Sequence, residues 1–558
     1  METFDYIVVG AGSAGCAVAR RLSDEPGNRV LLLEAGPPAS GFWLNTPAGM
    51  ARLFRNERVN WSYFTEPVPT MRDRRIYWPR GKVLGGSSSI NGMVYLRGHP
   101  LDFDHWRSAG NPGWGYDDVL RYFKRMEHNE RGGNRFRGEG GPLWISDPVV
   151  RHPSSVDFIE SARRAGIPLT DDLNGEFHDG VGFLQYNIRN GVRQSAYVAY
   201  IEPVRNRANL VVESGVRVQR VLLRGREAIG VEVIGHDGIR RTISAAREVV
   251  LSAGALNSPH LLMLSGIGDG AMLQRFGIPT QVDLPGVGRN LQDHFYVHCL
   301  VRSTPASSFN RDLHGIRKYW QGLRYLTSGT GYLALGSSQA VAFVKSHPNE
   351  DYADLQISFR PMTFNFDPSG RVDVDRYPAI SASLYRVRPK SIGHMSLRSP
   401  DPMDAPAFFP NYISDPDDIN ATISGMRKIR EILSMEPIAS RLRGEISPGP
   451  QVQTDDQFLQ YFETHGNSCY HPVGTCRMGR DAAAVVDARL RVHGVERLRV
   501  VDASIMPRVT AGNTNAASIM IGEKGADLMR EDAVARRPDA QADSNGYIRG
   551  VAVPNVSR

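Results

Sequence analysis

The chain has 558 residues, of which 41% are hydrophobic and 22% charged, a composition typical of a globular protein with two domains or one large composite. The formal net charge of +7 is spread along the chain without a recognisable nucleic-acid-binding module, so nucleic acid is not expected as a partner. Four cysteines are too few for a disulfide framework, no signal peptide is recognisable, and no apolar stretch is long enough for a transmembrane segment, so we expect a cytoplasmic protein.

The N-terminal segment predicts a strand–turn–helix–strand unit. Residues 5–9 (DYIVV) indicate a buried parallel strand, residues 10–15 (GAGSAG) a glycine turn, residues 16–22 a helix and residues 29–34 (RVLLLE) the next strand. This order of elements is typical of the first half of a dinucleotide-binding fold.

Gly10, Gly12 and Gly15 form G-x-G-x-x-G in the structural context that makes the motif informative. The first glycine permits the tight turn, the second lets backbone N–H groups approach a pyrophosphate, and the third lets the helix pack close to the strand. Glu34 ends the second strand about 20 residues later, where its carboxylate would accept hydrogen bonds from the adenosine ribose. The neighbouring residues expected to contact the cofactor are Ser13, Ala14 and Ala35. The motif predicts a dinucleotide but does not separate FAD from NAD.

Further elements follow along the chain. Residues 209–268 contain the strand patterns NLVVES, VQRVLL and EVVLSAGA, followed by an apolar helix, PHLLMLSG. Residues 301–460 are less regular, with isolated strands such as ADLQISF and HMSLRS, which indicates an antiparallel domain facing the substrate. Near the C-terminus, LRVVDASIMP predicts a strand that runs into a turn, and residues 515–530 predict a helix. From about residue 531 the chain is polar and is expected to be a poorly ordered tail.

Several segments resemble, in order, the motifs of the glucose–methanol–choline (GMC) oxidoreductases, which are FAD enzymes. They are residues 81–104 (GKVLGGSSSINGMVYLRGHPLDFD), residues 254–268 (GALNSPHLLMLSGIG), residues 286–294 (GVGRNLQDH), and the C-terminal YHPVGTCRMG and RVVDASIMPRVTAGNTN. The resemblance extends to about residue 530 and is greatest to the choline-dehydrogenase-like alcohol dehydrogenases and oxidases. It implies FAD as the cofactor and an enzyme that acts on CH–OH donors.

The predicted fold class is α/β, or α+β overall: a Rossmann-like FAD-binding domain with an inserted antiparallel-sheet substrate domain. The FAD-binding domain is expected to comprise residues 1–150, 195–300 and 465–532. The substrate-binding domain is expected to comprise residues 151–194 and 301–464, and residues 533–558 form the polar C-terminal tail.

The second cofactor loop is the glycine- and serine-rich stretch of the first motif. Gly85, Gly86 and Ser87 offer backbone N–H and hydroxyl donors for the pyrophosphate. The resemblance implies that the flavin ring is flanked by Asn91, Gly92, Met93 and Val94. Val218 matches the residue whose backbone contacts the adenine, and Asp502 could bond ribityl hydroxyls or simply cap the following turn. The other cofactor contacts that the resemblance implies are Tyr470, Ala503, Asn513 and Thr514.

Oxidation of an alcohol by hydride transfer requires a base for the hydroxyl proton, and histidine is the natural base near neutral pH. His471 matches the catalytic histidine of the family, and Pro472 restricts it to extended backbone geometry. The partner position falls on Asn513, whose amide would orient the substrate hydroxyl, and Asn515 is the competing candidate. The resemblance thus implies oxidation of a primary aliphatic or aromatic alcohol to the aldehyde, with hydride transfer to flavin N5.

Departures from the family pattern narrow this expectation. Ile90 occupies the position at which some relatives attach FAD covalently through histidine, so FAD is expected to be non-covalent. Gln339 aligns with a choline-binding glutamate, and a neutral amide cannot supply the negative charge that binds choline, so choline is not the expected substrate. The expected pocket walls are Tyr332, Leu333, Phe343, Phe359, Met362 and Phe364.

Several alternatives remain open. An FAD-containing lyase that cleaves cyanohydrins, a choline or polyol dehydrogenase, a light-driven decarboxylase and a nicotinamide dehydrogenase are the competing functions. The electron acceptor could be oxygen, a quinone or a redox protein. Cys469, His471 and Cys476 match no common zinc spacing, so no metal site is expected.

Overall fold

The computed structural model describes residues 2–366 and 372–535, and its core consists of two large sheets. Their strands are, in chain order, β1 (Thr3–Val9), β2 (Val30–Glu34), β3 (Gly180–Phe183), β4 (Leu210–Ser214), β5 (Arg217–Arg224), β6 (Glu227–Ile234), β7 (Arg240–Leu251), β8 (Phe295–Ser303), β9 (Ala340–Val344), β10 (Leu355–Arg360), β11 (Ala379–Arg386), β12 (Leu442–Ser447), β13 (Asn467–Ser468) and β14 (Leu498–Val500).

Ten helices of six or more residues surround these sheets in the described part of the chain. They are α1 (Ser13–Leu22), α2 (Pro100–Ser108), α3 (Tyr116–Met126), α4 (Pro153–Arg164), α5 (Gly254–Leu264), α6 (Gly270–Arg275), α7 (Arg317–Ser328), α8 (Pro416–Ser434), α9 (Asp455–His465) and α10 (Asn515–Ala535). Two shorter helices span Phe42–Asn45 and Met50–Leu53. No helix among the described residues is long and apolar enough to cross a membrane.

The first sheet has the strand order β4-β2-β1-β7-β6-β5, and β14 pairs with β7. The pairs β4–β2, β2–β1, β1–β7 and β7–β14 are parallel, whereas β5, β6 and β7 form an antiparallel meander. The parallel strands read as continuous apolar runs because α1 and α10 bury the sheet. This is the Rossmann-like half that the sequence predicts.

The second sheet has the order β12-β8-β11-β10-β9-β3, with β13 paired to β8, and all its pairs are antiparallel. Helices α4, α8 and α9 pack on it and enclose a second apolar core. The mixed α/β fold class is therefore confirmed. The strand Phe295–Ser303 crosses the predicted boundary at residue 300, and the domain boundaries stay predictions.

Six two-stranded sheets complete the described strands. They pair Tyr63–Phe64 with Tyr77–Trp78, Glu127–Asn129 with Leu143–Ile145, Ile188–Arg189 with Val192–Arg193, Ile267–Gly268 with Val282–Asp283, Phe364–Phe366 with Val372–Val374, and His394–Ser396 with Ala407–Phe409. The predicted tail, residues 533–558, lies outside the described residues except for the last turn of α10.

Candidate functional site

A cavity of about 340 Å³ is lined by residues from the edge of the first sheet and from one face of the second sheet. Of the residues predicted to bind the cofactor or to act in catalysis, all but Gly15 and Gly85 line it. The lining residues among them are Gly10, Gly12, Ser13, Ala14, Glu34, Ala35, Gly86, Ser87, Asn91, Gly92, Met93, Val94, Val218, Tyr470, His471, Asp502, Ala503, Asn513 and Thr514. Residues as far apart in sequence as Gly10 and Thr514 thus share one cavity.

The glycine turn lies between β1 and the N-terminus of α1. Gly10 has φ of +100°, which favours glycine, and a Cβ atom on Gly15 would lie 1.9 Å from the carbonyl oxygen of Gly10. A Cβ on Gly12 would meet nothing closer than 3.9 Å, so the backbone here is open to the cavity. Gly15 therefore serves the packing of α1, while Gly12 exposes the start of a helix that favours an anion.

Glu34 is buried at the end of β2, and its carboxylate is held by the glycine turn. Oε2 accepts a hydrogen bond from the N–H of Ala11 at 3.1 Å, and Oε1 accepts one from Gly36 at 2.9 Å. Burial raises the pKa of Glu34 to about 7, although these backbone donors oppose the rise. The fixed carboxylate, next to Ala35 and Val218, can accept further hydrogen bonds from a ligand in the cavity.

The second glycine loop lies directly against the first. A Cβ on Gly86 would come within 2.7 Å of Gly12 Cα, and the N–H of Gly85 donates to Ala11 O at 2.7 Å. Gly85 therefore does not face the cavity, and its hydrogen bond to Ala11 holds the glycine turn in place. Ser87 faces the cavity and accepts a hydrogen bond from the N–H of Gly81 at 3.1 Å.

Asn91 is positioned by a buried arginine. Arg193 Nη1 donates to Asn91 O at 2.7 Å and to Asn91 Oδ1 at 3.0 Å, while Oδ1 also accepts from the N–H of Met93. Met93 has φ of +60°, a conformation that is rare for a residue with a side chain and fixes the path of the loop. The segment 91–94 therefore presents a rigid backbone to the cavity.

Asp502 accepts hydrogen bonds from three protein groups as well as lining the cavity. They are the N–H of Gly254 at 2.9 Å, the hydroxyl of Ser258 at 2.5 Å and the N–H of Ser504 at 2.8 Å. The contact with Ser504 is the turn cap that the sequence left open. The carboxylate also joins β14 to the start of α5, so a structural function is present whatever it binds.

His471 and Asn513 meet at the cavity. Asn513 Nδ2 lies 3.0 Å from His471 Nε2, and the backbone N–H of His471 donates to Asp293 Oδ1 at 2.7 Å. The competing Asn515 instead accepts a hydrogen bond from the hydroxyl of Ser13 at 2.7 Å. Asn513 is therefore the asparagine beside the imidazole.

The protonation of His471 follows from a chain of two imidazoles. Burial lowers the pKa of His294 to about 4, so this ring is neutral at neutral pH. Val387 O can only accept, so His294 Nε2, 2.9 Å away, carries the hydrogen and Nδ1 is left as an acceptor. The contact of 2.9 Å between the two Nδ1 atoms then places a hydrogen on His471 Nδ1. His471 Nε2, beside Asn513, keeps its lone pair.

Electrostatics keep this lone pair free. Burial is the main cause that lowers the pKa of His471 well below its ordinary value, and the nearby His294 and Arg80 lower it further. The imidazole of His471 is consequently neutral at neutral pH, with its hydrogen on Nδ1, and it can accept a proton at Nε2.

The sequence analysis assigned no function to Asp293 or His294. Besides His471, the Asp293 carboxylate accepts hydrogen bonds from the hydroxyls of Tyr412 and Ser468, so it ties three segments together under the imidazole. Asp293 and His294 are the last two residues of the motif GVGRNLQDH, which carries part of the family resemblance. That motif was the signal that could have found them.

Two expectations about the substrate region are wrong. Gln339 is directed away from the cavity, because its amide bonds Val150 O, the N–H of His152 and the hydroxyl of Ser155. Of the six predicted wall residues, Phe364 alone lines the cavity. Strand alternation explains Phe359, which β10 turns toward the opposite, packed face. Phe343 pairs with Gln356 and lies on the cavity side of the sheet, but it packs against the His178 ring and does not line the cavity. Within residues 2–366 and 372–535, no cluster of three or more His, Cys, Asp or Glu could hold a metal.

Comparison with known proteins identifies relatives along most of the chain. Family sequence models described as GMC oxidoreductase match residues 4–296 and 389–522. A mitochondrial choline dehydrogenase of Mus musculus is 42% identical over 95% of this chain and 90% of its own. An alcohol dehydrogenase (acceptor) of Pseudomonas putida is 41% identical over 94% and 95%, respectively. A solved structure concerning FAD modification in formate oxidase of Aspergillus oryzae RIB40 is 28% identical, with a TM-score of 0.88 over 95% of this chain and 98% of that chain.

Proposed function

This chain belongs to the GMC oxidoreductase family and is an FAD-dependent enzyme that acts on CH–OH donors, and we propose that it oxidises a primary alcohol to the aldehyde with His471 as the base. The observation that carries the proposal is the contact of 3.0 Å between His471 Nε2 and Asn513 Nδ2. It joins an unprotonated imidazole nitrogen and an amide donor in the cavity that also contains the glycine turn.

The cavity fits FAD along its length. Gly12 and Gly86 meet without side chains, and this cradle beside the start of α1 suits a pyrophosphate. Glu34 and Val218 would hold the adenosine end, Asp502 the ribityl chain, and the backbone of segment 91–94 the flavin ring. Bound FAD supplies the hydride acceptor, flavin N5. Ile90 has no nucleophile, so we propose that FAD is dissociable.

The remaining chemistry belongs to the side chains. A substrate hydroxyl that inserts between His471 and Asn513 can donate its proton to Nε2 while the amide N–H of Asn513 donates to its oxygen. The Asn513 donor also stabilises the negative charge that develops on that oxygen. His294 accepts the hydrogen of His471 Nδ1 throughout, and this bond prevents the imidazole from rotating.

Anaerobic stopped-flow spectroscopy tests this assignment. Benzyl alcohol should bleach the flavin of the wild-type protein, and His471→Ala should slow bleaching by about 100- to 10,000-fold while retaining FAD. His394→Ala, which alters a histidine on a small sheet away from the cavity, is the matched control and should bleach like wild type. Equal bleaching rates in His471→Ala and wild type would refute the base assignment.

The same experiment separates the alternatives. A lyase would hold FAD without reduction by any alcohol, and a choline dehydrogenase, as the first-named relative is described, would bleach fastest with choline. Readmitting air tells whether oxygen reoxidises the flavin or whether a quinone or redox protein is needed.

A further inference from the structure

One wall of the cavity is a polar face of the second sheet, arranged in two rows across three strands. The tyrosine row pairs Tyr296 of β8 with Tyr385 of β11 and Gln356 of β10. Two residues along the strands, the serine row consists of His298, Ser383 and Ser358. All six residues line the cavity, so this wall selects for polar groups of the substrate.

Arg360, the last residue of β10, places its guanidinium over the serine row. Nη1 donates to Ser383 Oγ at 2.8 Å and Nε donates to Ser337 O at 2.8 Å. Nη2 makes no hydrogen bond to any residue that the structure describes. Within residues 2–366 and 372–535, no carboxylate lies within ion-pair distance of Arg360. N–H donors of the Arg360 guanidinium therefore remain free in the cavity, and their planar arrangement suits a planar anion such as a carboxylate.

Among the described residues, no negatively charged group compensates the charge of Arg360. The ionisable groups nearest to it are Tyr296, Tyr385, Tyr186 and Cys469, which are neutral at physiological pH. Arginine stays protonated in proteins, and a charge removed from water without a partner is costly. The cavity thus retains a cationic site that an anion would complete.

The position of this site relative to His471 sets the shape of the ligand. The rings of Tyr385 and His471 have centroids 6.0 Å apart, so the tyrosine row lies next to the base. The serine row lies two residues further along the strand, which corresponds to about 7 Å. An anionic group at Arg360 is therefore several carbons away from a hydroxyl at His471.

We propose that Arg360 binds an anionic group of the substrate, which makes the preferred alcohol a hydroxy acid with its carboxylate several carbons from the carbinol. The inference rests on the proposed function, because it requires the hydroxyl to lie at His471 and Asn513. A cationic alcohol such as choline would bring a second positive charge beside the guanidinium and is disfavoured.

Matched substrates test the subsite. We expect kcat/KM to be about 10- to 100-fold higher for para-(hydroxymethyl)benzoate than for its neutral methyl ester, since a charged hydrogen bond is gained. Arg360→Met should remove that preference with little change for benzyl alcohol, and Arg360→Lys should restore part of it. Terephthalate, which has no alcohol to oxidise, should perturb the flavin spectrum of wild type but not of Arg360→Met.

The outcomes distinguish the subsite from the reaction. Benzyl alcohol oxidation without a preference for the benzoate, or an equal loss for all substrates in Arg360→Met, would overturn the anion subsite and leave the proposed function intact. Failure of every alcohol to reduce the flavin would overturn the proposed function itself. FAD content and the melting temperature of each variant show whether it is folded.

A second inference rests on the outer surface of α7. The apolar residues Ile316, Tyr319, Trp320, Leu323 and Leu326 recur at helical spacing and are 49–81% exposed. Lys318 and Arg324 accompany them, Arg317 is paired with Asp312 at 3.4 Å, and no acidic residue occurs within the helix. Trp and Tyr beside basic residues, on a helix whose apolar stripe faces solvent, are typical of helices that lie in a membrane interface.

We infer that α7 docks on an anionic lipid surface, since its charge is complementary to lipid phosphates and its apolar stripe exceeds the scattered apolar exposure of ordinary surfaces. Flotation with phosphatidylcholine vesicles, with and without phosphatidylglycerol, tests it. Wild type should bind the phosphatidylglycerol vesicles in a salt-sensitive manner, and the double variant Trp320→Glu, Leu326→Glu should not.

Phe177→Glu is the matched control, because Phe177 is 72% exposed but lies in a different segment. It should bind vesicles like wild type. Failure of the wild-type protein to bind the phosphatidylglycerol vesicles would overturn the lipid assignment. A wild-type dimer in gel filtration that the double variant converts to a monomer would do so too, because a second copy of the chain would then cover α7. Because α7 contributes no residue to the cavity, both variants should keep wild-type flavin reduction.

Discussion

At the scale of single residues, the activity of His471 depends on a hydrogen that lies away from the substrate. Val387 O fixes the hydrogen of His294, and His294 in turn fixes the hydrogen of His471. Without the acceptor at His294, the imidazole of His471 could carry its hydrogen on Nε2, where it could not take a proton from the substrate. His294 is therefore a positioning residue whose effect is transmitted through a tautomer.

We expect His294→Leu to reduce the anaerobic rate of flavin reduction by about 10- to 100-fold, within the usual contribution of acid–base catalysis. His294→Asn offers a carbonyl oxygen to His471 and should recover part of the rate. Both variants should retain FAD and a similar substrate Kd. Equal losses in the two variants would indicate a packing defect rather than loss of the acceptor.

The sequence predicts the residues of the site better than their connections. Motif matches place His471 and Asn513, and the structure brings them within hydrogen-bonding distance. The hydrogen bond between His294 and His471 joins residues 177 positions apart. It depends on how the second sheet packs against the first, and no local sequence pattern predicts that packing. Arg360 was missed for the same reason, because it faces the cavity only through the register of β10 and β11.

At the scale of elements, the cofactor end of the cavity depends on the close crossing of α1 and α10. A Cβ on Gly522 of α10 would lie 2.5 Å from the carbonyl oxygen of Ala14, which lines the cavity. Glycine within a helix normally costs about 0.5–1 kcal/mol relative to alanine. The close approach of the two helix backbones explains why glycine occupies position 522 despite this cost.

Gly522→Ala should therefore lower the melting temperature and the FAD content, although the same change raises helix propensity. A side chain here must push α10 away from the start of α1. Gly322→Ala in α7 is the control, because a Cβ there meets nothing within 4 Å, and it should leave stability equal or higher. Thermal melts and flavin absorbance of both variants measure the difference.

Continuous apolar runs predicted the parallel strands, whereas a long amphipathic helix in the middle of the chain was not predicted. The parallel strands β1 and β2 and the C-terminal end of β7, residues 249–251, appear where continuous apolar runs predict them. The 19-residue helix Pro416–Ser434 lies in the region expected to be irregular. Its buried residues Ile423, Met426, Ile429 and Leu433 recur at helical spacing, so the sequence does contain the amphipathic signal for this helix.

At the scale of the whole molecule, buried histidines make the folded state sensitive to acid. Burial lowers the pKa to about 4 in His152, His178, His260 and His294, and to about 3 in His298. Between about pH 6.5 and pH 4 the unfolded chain binds protons at these sites that the folded chain does not. Each histidine therefore removes up to about 1.4 kcal/mol of stability per pH unit as the pH falls through that window. Burial raises the pKa of Glu34 to about 7 and also raises the pKa of Glu130, Asp293, Asp502 and Glu523, which opposes the trend. Nine histidines of the described residues have a lowered pKa, so they outnumber these five carboxyl groups.

We predict that the melting temperature falls steeply from about pH 7 to about pH 5, and that His178→Asn reduces this slope by the contribution of one proton. His178 is a suitable position because its Nδ1 donates to Leu173 O at 2.7 Å, a bond that the Asn amide can keep, whereas its Nε2 has no partner in the described part of the chain. The exposed His347, replaced by Asn, is the control and should leave the slope unchanged. An identical slope in wild type and His178→Asn would contradict the contribution assigned to this histidine.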